Sequence, residues 1–178
     1  MRERSTCPRF ALTPQVFSKA DGSAAPGRFV GVELTQDVVI DRPIAEVAEL
    51  LADPEGPRKW HRGLEKITLK KGKAGAVGAV SEMAYNDKGR TFKVTETIVK
   101  LDLPRQVVTT YKGPGMLHTL TTSLEELSPE QTHVTVHNHI KLSGLAKVGG
   151  PIIGKGTQGQ METRLADFKT VLEGGSIG

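Results

Sequence analysis

The chain has a single cysteine, Cys7, so it can form no internal disulfide and no cysteine-based zinc cluster. One thiol suits a reducing compartment, and a cytoplasmic protein is the expectation. Aromatic residues are also scarce, at 4% of 178 residues. Few bulky side chains are therefore at hand to fill the space between packed layers, and a hollow is expected there. No apolar run approaches the roughly 20 residues that a membrane-spanning helix requires. The formal net charge of +4 is unevenly placed. Arg2, Arg4, Arg9, Lys19 and Arg28 against Glu3 and Asp21 put three of those four charges in residues 1–30. The remainder is close to neutral, which gives no support for a nucleic-acid partner. Glycines cluster late, at Gly149, Gly150, Gly154, Gly156 and Gly159, but without the Gly-Lys-Ser/Thr of a phosphate-binding loop.

What is present is an order of elements. Residues 1–30 hold Pro8, Pro14 and Pro26 and a Gly-Ser-Ala-Ala-Pro-Gly stretch, with neither helical nor alternating period. They read as a mobile extension without function, the alternative being a weak targeting segment. Val32 to Ile40 reads as a strand. Pro43 opens a helix through Ile44, Val47, Leu50 and Leu51, with Asp41 placed to cap it and Asp53-Pro54 to end it. A second helical turn runs from Pro57 to His61. Strands are expected at Leu64–Lys71, Ala76–Asn86, Thr91–Leu101, Gln106–Lys112, Met116–Leu127 and Thr132–Leu142. With the first strand they make seven, all able to pair antiparallel. Asn86-Asp87-Lys88-Gly89 signals a hairpin turn. The chain closes with a helix from Pro151 to Glu173. Ile153, Thr157, Met161, Leu165, Phe168 and Leu172 lie on one stripe of it. A lone helix with one apolar stripe after so many strands must lie on the apolar face of the sheet. The expected fold is α+β: a curved seven-stranded antiparallel sheet around a long C-terminal helix, with two short helices after the first strand.

Alternation predicts which side chains face the hollow. In the last strand Val134, Val136, Asn138, Ile140 and Leu142 point to the helix. In the preceding strand His118, Leu120, Thr122 and Leu124 do the same. His118 and Asn138 are thus polar groups on an apolar face. In the third strand Met83 and Tyr85 are assigned to the cavity. The candidate ligand-binding residues are Trp60, Met83, Tyr85, His118, Leu120, Val136, Asn138, Ile153, Gln160, Met161, Leu165 and Phe168. His118 is the candidate acid–base group, because imidazole titrates near neutrality and burial shifts it. Tyr85, Tyr111 and Glu82 are its candidate helpers. Trp60 either closes over a ligand or simply packs, its N–H bonded to backbone. His133, His137 and His139 form an outward row, which reads as a solvated sheet face, and no metal or other cofactor is expected. The basic stretch Arg58, Lys59, Arg62, Lys66, Lys70, Lys71 and Lys73 reads as a solvated, lysine-rich sheet edge, with room for transient contact with a membrane or an acidic head group.

Residues 40–55, Ile-Asp-Arg-Pro-Ile-Ala-Glu-Val-Ala-Glu-Leu-Leu-Ala-Asp-Pro-Glu, resemble the opening of the START-like (SRPBCC) superfamily, which includes the polyketide cyclase/dehydrase proteins and the birch-pollen-allergen fold. Trp60, the Asp102-Leu103-Pro104-Arg105 turn and the closing Leu165-Ala166-Asp167-Phe168-Lys169 fit the same pattern. The resemblance covers residues 31–173. It implies a helix-grip, START-like ligand-binding domain, taken as 31–174, that binds, transports or sequesters a small hydrophobic molecule such as a lipid or polyketide. The alternatives are a cyclase or dehydratase using His118 as acid/base, and an interaction module acting through the basic edge. No complete catalytic constellation is visible.

Overall fold

The computed structural model describes residues 30–113, 115–142 and 150–177, with side chains from residue 31 and, within the last helix, from residue 158. The expected extension, apart from Val30, and the Ile153 side chain lie outside the described residues. The elements run β1 (Val30–Ile40), α1 (Ile44–Ala52), α2 (Pro57–Trp60), β2 (Leu64–Lys71), β3 (Val80–Asp87), β4 (Arg90–Asp102), β5 (Gln106–Gly113), β6 (Met116–Ser128), β7 (Gln131–Leu142) and α3 (Gly150–Leu172). All seven strands join one antiparallel sheet in the order β1-β7-β6-β5-β4-β3-β2. Only β1 departs from sequence order, pairing with β7, so the chain returns to close one side of the sheet. The other edge is β2, where Lys66, Lys70 and Lys71 are exposed. Lysines on an edge strand oppose pairing with another chain.

Two local expectations fail for identifiable reasons. β3 starts at Val80, not Ala76, because Gly78 takes a φ of 83°, which breaks an extended run. Asp41 does not cap α1. Pro43 holds the cap position without a side-chain bond, while the Asp41 carboxylate accepts a hydrogen bond from Gln131 Nε2 at 2.8 Å. The expected hairpin turn between β3 and β4 closes through Lys88 and Gly89, with φ of 51° and 83°, between the paired Asp87 and Arg90. Two consecutive positive φ values give the twist that a two-residue hairpin needs.

α3 is placed by its stripe and by one ion pair. Phe168 is 3% exposed and joins Val38, Ile40, Val47, Leu50, Leu124 and Val134 in the main core. Its ring meets that of Trp60 edge-on, with centroids 5.0 Å apart. Asp167 is buried beside it, yet its carboxylate is bound at both oxygens by Arg62 of the loop after α2, at 2.6 and 2.8 Å. A buried carboxylate needs such a partner. The bidentate pair fixes the angle at which α2 and α3 meet, and with it the end of the space beneath the helix. A second, smaller core of Leu64, Met83 and Tyr85 supports the far end of the sheet.

Candidate functional site

Between the inner sheet face and α3 lies a cavity of about 200 Å³. Strand pairing arranges the inner sheet face beneath it in cross-strand rows. One inner row runs Asn138, Leu120 and Thr109; the next runs Ile140, His118, Tyr111 and Glu96. α3 supplies Gln160, Met161, Arg164, Leu165 and Phe168 as the roof, and Trp60 and His61 close one end. The wall is mostly apolar, yet it carries polar atoms that the protein does not satisfy. Gln36 Oε1, Trp60 Nε1, His118 Nε2 and Asn138 Oδ1 are buried without a hydrogen-bond partner, and all four residues line this cavity. Buried polar groups are almost always paired, so four orphans on one wall need an explanation.

The candidate residues divide as follows. Trp60, Tyr85, His118, Leu120, Val136, Asn138, Gln160, Met161, Leu165 and Phe168 lie on the cavity wall. Met83 does not. It is fully buried in the smaller core, behind the wall, with Tyr85 Oη 3.9 Å from its sulfur. The Trp60 N–H is not bonded to backbone, contrary to the packing expectation. Glu82 cannot serve His118: it lies on the outer face, bound by Lys93 at 3.0 Å and close to Lys70 at 3.5 Å. The acid on the inner face is Glu96, which accepts a 2.8 Å bond from the Tyr111 hydroxyl. Alternation of Phe92, Val94, Glu96 and Ile98 against Thr91, Lys93, Thr95 and Thr97 carried that signal in the sequence. Of the outer histidines, His133 lies 3.2 Å from Asp37 and 3.8 Å from Glu125, and His137 Nδ1 is 2.8 Å from Thr35 Oγ1.

Three polar wall residues were not anticipated. Gln36 projects from β1 and donates to the Gln158 carbonyl of α3 at 3.3 Å. His61, 4% exposed, sits with its Nδ1 2.8 Å from the Tyr85 hydroxyl. Arg164 stands over the Tyr85 ring, 5.9 Å from its centroid. Burial, reinforced by the positive charge of Arg164, lowers His61 to about 3 and His118 to about 4. Burial likewise raises Tyr85 to about 12 and pushes Tyr111 well above the ordinary phenol value. It also raises Glu96, against the lowering effect of the Tyr111 hydrogen bond. At neutral pH the histidines and tyrosines of the wall are thus uncharged hydrogen-bonding groups.

The depressed His61 links folding to pH. Its folded value lies below the unfolded one, so its contribution is complete above about pH 6.5 and is lost as pH falls toward about 3. The limiting loss is of the order of 5 kcal/mol, each pH unit between about 6.5 and about 3 being worth about 1.4. Urea midpoints should fall between pH 7 and pH 4.5, and His61→Gln, which keeps a partner for Tyr85, should flatten that fall. Equal pH dependence in the two proteins would contradict a buried neutral imidazole.

Comparison with known proteins agrees with this architecture. Residues 31–173 match the family model described as polyketide cyclase / dehydrase and lipid transport, and the chain belongs to that family. The fold is shared with a START superfamily protein from Mycobacterium smegmatis (14% identity, TM-score 0.68, covering 79% of this chain and 97% of that one). Norcoclaurine synthase from Thalictrum flavum, solved in complex with dopamine and hydroxybenzaldehyde, is similar at 15% identity and a TM-score of 0.61, over 89% of this chain and 100% of that one. Ara h 8.0201 is similar at 16% identity and a TM-score of 0.60, over 78% and 98%. A search of curated protein sequences gave no match. No helix among the described residues is long and apolar enough to cross a membrane.

Proposed function

We propose that this protein binds one small, largely apolar molecule in the cavity under α3, as a carrier or sequestering protein. The observation that carries this reading is the set of four unpartnered polar atoms on the wall of a single apolar cavity. An apolar wall supplies affinity by burial, and a few fixed polar groups supply orientation. The volume sets the scale. A cavity of roughly 150 Å³ is enough for benzene, so about 200 Å³ suits a molecule of one or two rings, or a short chain, with any longer part reaching solvent. The family description, with its lipid-transport branch, is consistent with such a ligand. The cyclase or dehydratase reading, with His118 as acid/base, is weaker. An imidazole lowered to about 4 is a poor proton acceptor at neutral pH, and Glu82 is on the wrong face.

The uncharged fluorophore 1-aminoanthracene tests the cavity without invoking charge. It should bind the native protein with a stoichiometry near one and a blue-shifted emission, and naphthalene should displace it. A folded protein, by its melt, that leaves the dye free would remove the carrier reading.

A further inference from the structure

Among the described residues of the cavity wall one side chain is charged at neutral pH, Arg164. No described aspartate or glutamate stands on the wall; Glu96 lies behind Tyr111 and is engaged by its hydroxyl. Two other described cations on or against α3 have an acid: Arg62 has Asp167 and Lys169 has Glu173. Arg164 differs. Among the described residues no carboxylate pairs with it, and its one ring contact is the face of Tyr85. It is also exposed, as is Phe92, whose ring stacks on Tyr85 with centroids 5.2 Å apart. Exposed residues on a cavity wall mark where the cavity meets solvent, so Arg164 and Phe92 mark a mouth, with the buried Tyr85 ring packed against both. The charge of Arg164 reaches inward, since it acts on both His61 and His118. The guanidinium, the unpartnered His118 Nε2 and the unpartnered Trp60 N–H therefore belong to the surroundings of one bound molecule.

We propose that the ligand is an apolar molecule bearing a carboxylate, its hydrocarbon part in the cavity and its carboxylate at the mouth on Arg164. This rests on the carrier reading and names the ligand class. A guanidinium fork matches a carboxylate in two parallel hydrogen bonds. A cationic ligand meets repulsion from the same group, and a neutral one leaves the guanidinium unused.

Calorimetric titration with three ligands of one hydrocarbon frame reads this directly: 2-naphthoate, 2-naphthamide and 2-naphthylmethylammonium. At neutral pH the naphthoate should bind about 10-fold tighter than the amide, and the ammonium compound more weakly than either. Arg164→Gln should bring naphthoate down to the amide's affinity and leave the amide within about twofold. Arg164→Lys, which keeps the charge and loses the fork, should fall between. Residue 164 is exposed, so these changes should leave the melt unaltered. Equal binding of acid and amide to the native protein would overturn the proposal, as would an acid preference that survives Arg164→Gln. Tighter binding of the ammonium compound would overturn it and shift attention to Glu96. In each of these cases, 1-aminoanthracene still bound with a stoichiometry near one would leave the carrier reading standing. Loss of dye and naphthyl binding together would remove both.

Discussion

Phe168→Asp is expected to abolish cooperative folding, while Ala166→Asp, two residues earlier on the same helix, is expected to leave it nearly intact. Phe168 is 3% exposed and packs on both the main core and the Trp60 ring. Removing a buried phenylalanine side chain alone costs about 3–5 kcal/mol. A carboxylate in its place would have to leave the core to reach the exposed Arg164 one turn earlier, since Arg62 is already committed to Asp167, and a charge held in the core adds further cost. The total approaches the whole stability of an ordinary domain, about 5–15 kcal/mol. Ala166 faces solvent, where an aspartate changes stability by a few tenths of a kcal/mol. Leu165→Asp should fall between, since Leu165 is half-buried on the cavity wall and its new charge can turn toward the mouth. Circular dichroism melts of the three variants give the order. Equal loss at 166 and 168 would mean that α3 lies on the sheet by a different face.

The gradation along α3 shows how far the sequence could be read. The stripe of Met161, Leu165, Phe168 and Leu172 was legible, because a helix on a sheet must hide its large apolar residues. Strand positions were legible for the same reason: in β6 and β7 the period of two separates His118, Leu120, Thr122, Val134, Val136 and Asn138 from their outward neighbours, and these six line the cavity. The same rule, applied to β4, would have exposed Glu96; the threonine-rich run hid it, because threonine suits either face of a strand. Asp167 was illegible, since a carboxylate beside the stripe is tolerable only through Arg62, 105 residues away in the chain. Asp41 misled for a related reason. Its side chain suited the start of α1, but Gln131, 90 residues on, draws it into a different bond. Local propensity describes what a segment prefers when alone, and long-range partners override it at such points. Arg164 was illegible in another way. It stands three residues after Met161 and four before Phe168, at the border of the apolar stripe, where an arginine reads as a solvated side chain; the structure puts it on the cavity wall against the Tyr85 ring. His61 read as the end of a short helical turn, and the burial that lowers its pKa arises where α2 meets the tip of β3.

Thr122→Trp is expected to cut the binding of 1-aminoanthracene at least 10-fold while leaving a cooperative melt. Thr122 sits in the middle of β6, buried on the cavity wall, with Val107 of β5 and Val136 of β7 on either side. An indole there points into the open space and occupies much of a cavity of about 200 Å³. The overpacking costs about 1–3 kcal/mol, which lowers the melting temperature without removing the fold. Affinity falls further than stability because it comes chiefly from apolar area that the probe can no longer bury. Thr121→Trp is the control: its neighbour across the strand pair is His137, and alternation directs it to the outer face. It should bind the dye as the native protein does. Undiminished binding to a folded Thr122→Trp variant would place the ligand somewhere other than beneath α3, and Arg164 would then lose its claim to the carboxylate.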